Sequence, residues 1–310
     1  MLVADVPPWL IRATAILFGL FVGSFLNVVI VRVPREESVV SPGSHCICGK
    51  PIAWYDNVPV LSWLVLRGRA RCCGARISPR YPLVELIGGL LTWAIVEVEV
   101  LAAGPSGHIV PLLARAMIDV ALSLALVAAA FIDLDHMYLP NGITLGGAVV
   151  ALVTAPLRPG LGWARAGVGL AVGFLIVWLP FIILYRVLRG KQGMGLGDAK
   201  LLALVGAWFG WEGALFSLFA GAIQGTLASL VVVARKGKIE EPASVVAERE
   251  AALAEGEPLD AENDPVALPP EPGLGGARVP FGPFLVIAAL EFLLFGHVLL
   301  QRWFSWIVEP

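Results

Sequence analysis

Long apolar runs decide what this chain can fold into. They fall at about 9–31, 83–103, 111–132, 142–157 and 166–185, then across 199–234, and last at about 283–303. A helix that crosses a bilayer needs roughly 20 apolar residues. In hydrocarbon every backbone N–H and C=O must find a partner inside the protein, and a continuous apolar run meets that demand as a helix. The 199–234 stretch is too long for one span and breaks at Trp208-Phe209-Gly210-Trp211, so it divides in two. Composition agrees: 15% of the 310 residues are charged and mean hydropathy is +0.82, against about 25% charged in an ordinary soluble domain. The expected fold is an all-α polytopic membrane protein of about eight transmembrane helices, with a small cytoplasmic insertion after the first. The N-terminal residues lack a basic cluster, and no small-residue cleavage site follows the first run. It therefore reads as a retained span and not as a signal peptide.

The chain divides where these runs end: 1–33, the first transmembrane helix; 34–82, a polar insertion that holds every cysteine; 83–235, the membrane core; 236–280, an acidic loop; 281–310, the last helix and the C-terminus. The acidic loop is rich in Ala, Pro and Gly and poor in aromatics, so a disordered spacer is expected there. Basic residues mark the cytoplasmic face. Lys50, Arg67, Arg69, Arg71, Arg76 and Arg80 follow the first span, Arg186, Arg189 and Lys191 follow the fifth, and Arg235, Lys236 and Lys238 follow the seventh. This pattern predicts an N-terminus outside, with Arg158 and Arg165 mildly against the rule. Trp163, Trp208, Trp211, Trp303 and Trp306 fall near span ends, where indole rings favour the interface.

On that topology two carboxylates reach one membrane face. Asp133 closes the third run, and Asp198 follows two glycines in Gly195-Leu196-Gly197-Asp198. Ionisable groups at such positions are costly and point to function. Two adjacent carboxylates do not both ionise cheaply: one keeps its proton and polarises a carbonyl while the other takes a proton from water. That is aspartyl proteolysis. Gly195 and Gly197, lacking Cβ, are expected to adopt unusual φ and to let a substrate strand approach, and Pro140 is expected to stop the helix beyond Asp133. The plain alternatives are a helix-capping role for Asp198 and a surface acid at Asp133 or Asp135.

These residues resemble the type IV prepilin peptidases, a branch of the GxGD intramembrane aspartyl proteases. Gly195-Leu196-Gly197-Asp198 with Lys200 is similar to the family signature, and Asp133, ahead of Pro140 and Asn141, is similar to its first catalytic aspartate; Asp135 fits the spacing less well. The likeness continues through Gly23-Ser24-Phe25-Leu26-Asn27-Val28, Trp54-Tyr55-Asp56-Asn57-Val58-Pro59, Arg80-Tyr81-Pro82-Leu83-Val84-Glu85 and Val279-Pro280-Phe281-Gly282-Pro283-Phe284. The resemblance implies a bacterial inner-membrane enzyme that cuts the leader from type IV prepilins or pseudopilins, after a Gly, at the cytoplasmic face. Because the insertion is large, it also implies N-methylation of the new N-terminus from S-adenosylmethionine. Asp56, Asn57 and Glu85 are candidates to support the methyl donor, with structural hydrogen bonding as the alternative.

Cys46, Cys48, Cys72 and Cys73 all lie in the insertion. Cytosolic thiols stay reduced, so a structural zinc is the natural use. The family pattern is two C-x-x-C pairs. Here the first pair is one residue shorter, and Ala70 stands where the second pair would begin, leaving Cys72 beside Cys73. Adjacent cysteines are expected to point apart, with His45 as a substitute ligand and a metal-free loop as the alternative. The bilayer and prepilin-type substrates are the expected partners; no nucleic-acid pattern is present. The competing readings are a proton-coupled transporter using the same acids and an inactive assembly scaffold. Coupling sites usually lie at mid-membrane, which disfavours the transporter.

Overall fold

A computed structural model describes residues 1–189, 193–255 and 278–308. Among them, structure is helical apart from isolated bridges. The chain forms two compact units, Met1–Ala128 and Ala129–Pro310. Each of the eight expected spans coincides with a helix. Among the described residues, five have the length and composition to cross a membrane.

In the first unit α1 (Pro8–Arg32) packs against α3 (Arg80–Glu99). They run antiparallel, because Arg12 near the start of α1 pairs with Glu97 near the end of α3, while Asn27 near the end of α1 donates 3.2 Å to the Tyr81 carbonyl. Glycine sets the crossing: a Cβ on Gly19 would lie 2.3 Å from the Gly88 oxygen. Without a hydrophobic drive between helices in lipid, such close backbone approach is what holds them. Glu97 and Glu99 engage Arg12 and Arg115 respectively. Pairing lets both acids stay at the end of an apolar helix.

The insertion hangs from the two helices. The Arg32 guanidinium donates to the Ser38 and Pro42 carbonyls at 2.8 and 2.7 Å, closing the first loop. α2 (Leu61–Val65) is preceded by Val60 at φ +62°, a rare conformation for a β-branched residue. The Glu85 carboxylate on α3 holds it there by accepting the Val60 N–H at 2.7 Å. α4 (Ile109–His136) begins in this unit and carries the chain into the second.

The second unit is built around α8 (Leu196–Phe209), a 14-residue helix that is apolar on every side beyond Lys200 and correspondingly buried there. α5 (Asn141–Thr154) and α6 (Gly162–Val177) pack on it. α6 meets it so closely that a Cβ on Gly169 would lie 2.0 Å from the Gly206 oxygen, and one on Gly173 2.1 Å from that of Leu202. After α6 the helix widens to a π turn at Trp178–Leu184, around Pro180, and resumes as α7 (Tyr185–Arg189). Proline has no N–H and its ring crowds the preceding turn, which accounts for the change of pitch. Gly210 at φ +82° turns α8 into α9 (Trp211–Lys236). α9 packs on α11 (Gly282–Val308) through Gly221 and Gly225, which face Phe284, and through a Gln224–Glu291 hydrogen bond of 2.8 Å.

Two expectations change. Trp208 is fully buried, stacked on Phe209 with centroids 4.4 Å apart, and is no interface anchor; Trp163 and Trp211 are exposed, and the Trp303 and Trp306 side chains lie outside the described residues. The acidic segment expected to be disordered contains α10 (Ala243–Glu255). Val245 on α10 is buried, and Glu241 pairs with both Arg249 and Arg278, at 2.9 and 3.2 Å. Paired charges offset the acidic composition that argued against folding. Residues 256–277 of that loop lie outside the described residues.

Candidate active site

Asp133 lies in the last turn of α4, is 6% exposed, and accepts the Gly282 N–H at 2.9 Å. Gly282 is the first residue of α11, so the carboxylate faces the positive end of that helix. A Cβ on Gly282 would come within 2.7 Å of the Asp133 oxygen. The Val279–Phe284 motif thus positions the first acid, a role its sequence alone did not disclose. α4 ends at His136, and Met137 turns at φ +53°, donating its N–H to the Asp133 carbonyl at 2.9 Å. The helix therefore ends before Pro140, which was expected to stop it; Pro140 instead stands as the N-cap of α5.

Asp198 sits in the first turn of α8, with Gly195 as N-cap. It is half-buried and within range of the Asp133 charge. Leu139 bridges the neighbourhood: it is the nearest contact of Gly197, 3.2 Å from where a Cβ would be, and also lies 3.2 Å from one on Gly282. The expected unusual φ at the two glycines is not found. Gly195 has φ −72°, ψ 145°, ordinary extended backbone, and Gly197 is helical. What Gly197 supplies is close approach to Leu139. Lys200 donates to the Asn141 side chain at 2.8 Å, tying the start of α8 to the start of α5. Just ahead of the motif, the Gly193 N–H donates to the Phe181 carbonyl in the π turn at 2.9 Å.

α10 packs beside the end of α4. Glu248 is 2.8 Å from His136 Nδ1, and the Ser244 hydroxyl donates to the Asp135 carbonyl. These contacts join residues more than 100 positions apart, and no local pattern announces them. Asp135 itself is held by its backbone, and of the two acids Asp133 is the buried one.

In the first unit the four cysteines converge. Their Sγ atoms all lie within 4.8 Å of one another, with Cys46–Cys73 at 3.5 Å and Cys48–Cys72 at 3.4 Å. Tetrahedral ligands about 2.3 Å from a zinc are about 3.8 Å apart, so the donor set fits that ion. Cys72 and Cys73 do not point apart, contrary to expectation, because the Gly74 turn (φ +71°) folds both toward the first pair. His45 is outside the cluster, its ring 3.2 Å from the Gly43 carbonyl. The Cys46 thiol is pulled down to about 7, first by a backbone hydrogen bond from Cys48 and then by Cys72 and Cys73. Cys72 is pushed up to about 12, chiefly because it hydrogen-bonds Cys46. Asp56, one of the candidate methyl-donor residues, forms a two-pronged pair with Arg71, and Glu85 is the clamp on Val60. Both have structural partners.

Comparison with known proteins bears on the whole arrangement. Residues 17–98 match the bacterial peptidase A24 N-terminal domain, and residues 120–230 the type IV leader peptidase family. A prepilin leader peptidase/N-methyltransferase of Myxococcus xanthus is 37% identical over 90% of this chain and 88% of its own length. The chain belongs to the type IV leader peptidase family. A relative of the same name from Aeromonas hydrophila is 34% identical over 96% of this chain and 94% of its own, and one from Klebsiella pneumoniae 42% identical over 66% and 88%. No solved structure matches the chain. Within this leader peptidase the A24 N-terminal match takes in the cysteine cluster, and the 120–230 match takes in both aspartates.

Proposed function

We propose that this protein is a membrane aspartyl endopeptidase that removes the leader from type IV prepilins or pseudopilins after a Gly, with Asp133 and Asp198 as its catalytic pair. The observation that carries this is the seat of Asp133. A buried carboxylate at the head of α11 accepts the Gly282 N–H at 2.9 Å, and its charge reaches the aspartate of the Gly195–Asp198 motif. One carboxyl keeps its proton and polarises the scissile carbonyl; the other draws a proton from the attacking water. Gly282 fixes the rotamer of Asp133, and Leu139 and Lys200 fix the start of α8 relative to it. The name shared by the relatives supports the substrate class and a second activity, N-methylation of the new N-terminus from S-adenosylmethionine. The four cysteines would hold a structural zinc, ordering the insertion.

On this reading the protein lies in the bacterial inner membrane, N-terminus outside, with both aspartates at the cytoplasmic face. The two arginines that sit against this orientation are engaged: Arg165 with Glu212 at 2.8 Å, and Arg158 with the Thr154 hydroxyl at 3.2 Å and the Trp208 ring.

The test is cleavage of a synthetic prepilin leader peptide by the detergent-purified protein, with and without S-adenosylmethionine, read by mass spectrometry. Asp133→Asn and Asp198→Asn are each expected to abolish cleavage while zinc content stays at the wild-type level. Cys72→Ser with Cys73→Ser is expected to lose zinc and methylation and keep cleavage. Undiminished cleavage by either aspartate variant would remove the assignment. Proton flux into liposomes that requires Asp198, without any cleavage, would replace it with a transporter.

A further inference from the structure

The insertion between α1 and α3 carries an apolar surface that packing among the described residues leaves uncovered. On α2, Leu61, Leu64 and Val65 are 60%, 56% and 74% exposed. Their i, i+3, i+4 spacing puts them on one helix face. Trp63 turns the other way, packing on Gly68 and donating its indole N–H to the Ile77 carbonyl at 3.1 Å. Trp54, 82% exposed, adds to the uncovered apolar area of the insertion. Arg67 and Arg69 follow α2 directly, and both are exposed. Residues 34–82 carry seven Lys and Arg against three Asp and Glu, and one of those acids, Asp56, is already taken by Arg71.

Large apolar side chains grouped on a surface and edged by cationic ones mark a contact site. Trp and Leu on an apolar face with Arg beside it is the composition of segments that lie in the boundary between headgroups and acyl chains. Position singles out the bilayer as the partner. Glu85 is the sixth residue of α3, and its carboxylate holds the N–H of Val60, the residue just before α2. α2 is therefore tied by one hydrogen bond to the first turns of a membrane helix, at the depth where that helix enters the bilayer. Arg32 ties the other end of the insertion to the last turn of α1.

We infer that α2 is an interfacial anchor: Leu61, Leu64 and Val65 rest in the acyl boundary of the membrane the protein spans, and Arg67 and Arg69 engage the phosphates of anionic lipids. The insertion is then held against the bilayer at a third point, besides its two helical ends. This holds whichever reaction the protein carries out.

The experiment places the photoreactive residue p-benzoylphenylalanine at Leu64, Val65 or, for comparison, exposed Ser44 in the cysteine loop. The full chain is reconstituted in nanodiscs of phosphatidylcholine alone or with phosphatidylglycerol, and adducts are read by mass spectrometry after irradiation. Lipid adducts are expected at 64 and 65 at several-fold the yield at 44. They should rise with phosphatidylglycerol, and that rise should be lost in Arg67→Glu with Arg69→Glu. Equal yields at all three sites, or yields at 64 and 65 indifferent to the lipid charge and to the arginines, overturn the proposal. Protein adducts at 64 and 65 in place of lipid, when a prepilin is added, overturn it as well and reassign the face to substrate docking.

Discussion

Gly282 shows how one hydrogen atom in place of a methyl group can decide a site. Its N–H is the hydrogen-bond donor to the Asp133 carboxylate, and an added Cβ would stand 2.7 Å from the same oxygen. The N–H would survive substitution by alanine; the rotamer of the aspartate would not, because the nearest atom is the carboxylate oxygen itself, the group the proposed chemistry uses. Misplacing a reacting group by about 1 Å costs on the order of 100-fold in rate. Gly282→Ala is therefore expected to lower kcat for leader cleavage by about that factor, with KM little changed. Gly142→Ala, where an added Cβ meets nothing within 4 Å, should leave kcat unaltered. Equal kinetics for the two variants would show that the Gly282 contact does not set the geometry of Asp133. The sequence offered Gly282 only as part of a resembling motif. The identity of its partner, 149 residues away, becomes visible only when α4 and α11 are brought together.

Helix crossings show what the sequence disclosed and what went unread. The apolar runs located every span, since the demand for internal backbone hydrogen bonds in lipid leaves helices as the only outcome for such runs. The packing partners were also written in the chain, as Gly19/Gly23, Gly169/Gly173 and Gly221/Gly225, each a glycine pair four residues apart. This spacing puts two bare positions on one helix face, and lipid favours it because close backbone contact replaces the missing hydrophobic drive. α10 was not legible, because its folding rests on ion pairs made by Glu241, Glu248 and distant residues, which composition counts only as charge. Nor did the apolar character of Trp208 reveal whether it faced lipid or α8's neighbours. The α6–α8 crossing gives the sharpest prediction at this scale. Gly169→Leu would drive a side chain into the Gly206 carbonyl, and overpacking of this kind costs about 1–3 kcal/mol or more. Gly167→Leu on the same helix points into open space. Thermal unfolding in detergent should show a lower Tm for Gly169→Leu and an unchanged or higher one for Gly167→Leu. Equal shifts would mean that the glycine contact is not what joins the helices.

For the whole molecule, the proposed chemistry depends on topology, since both aspartates and the insertion must share the face at which prepilins present their leaders. The chain carries its own probe of this. Its four cysteines all lie between residues 46 and 73, so every native thiol reports the side of one segment. If the N-terminus is outside, a membrane-impermeant maleimide added to intact spheroplasts should leave the protein unlabelled. Permeabilisation together with a zinc chelator should then expose the thiols. The chelator matters because bound metal would shield them and imitate protection by the membrane. The opposite face needs a thiol of its own. Ser106, in the loop between α3 and α4, serves for this as Ser106→Cys in a variant with the four native cysteines replaced by serine, and it should label in intact spheroplasts. Reversed labelling at both positions would invert the molecule and place Asp133 and Asp198 away from the cytoplasm. Labelling of both positions in intact cells would break the α3 span that separates them. Only protection of the first and exposure of the second leave the carboxylate pair where a leader still attached to the cytoplasmic side of its prepilin can reach it.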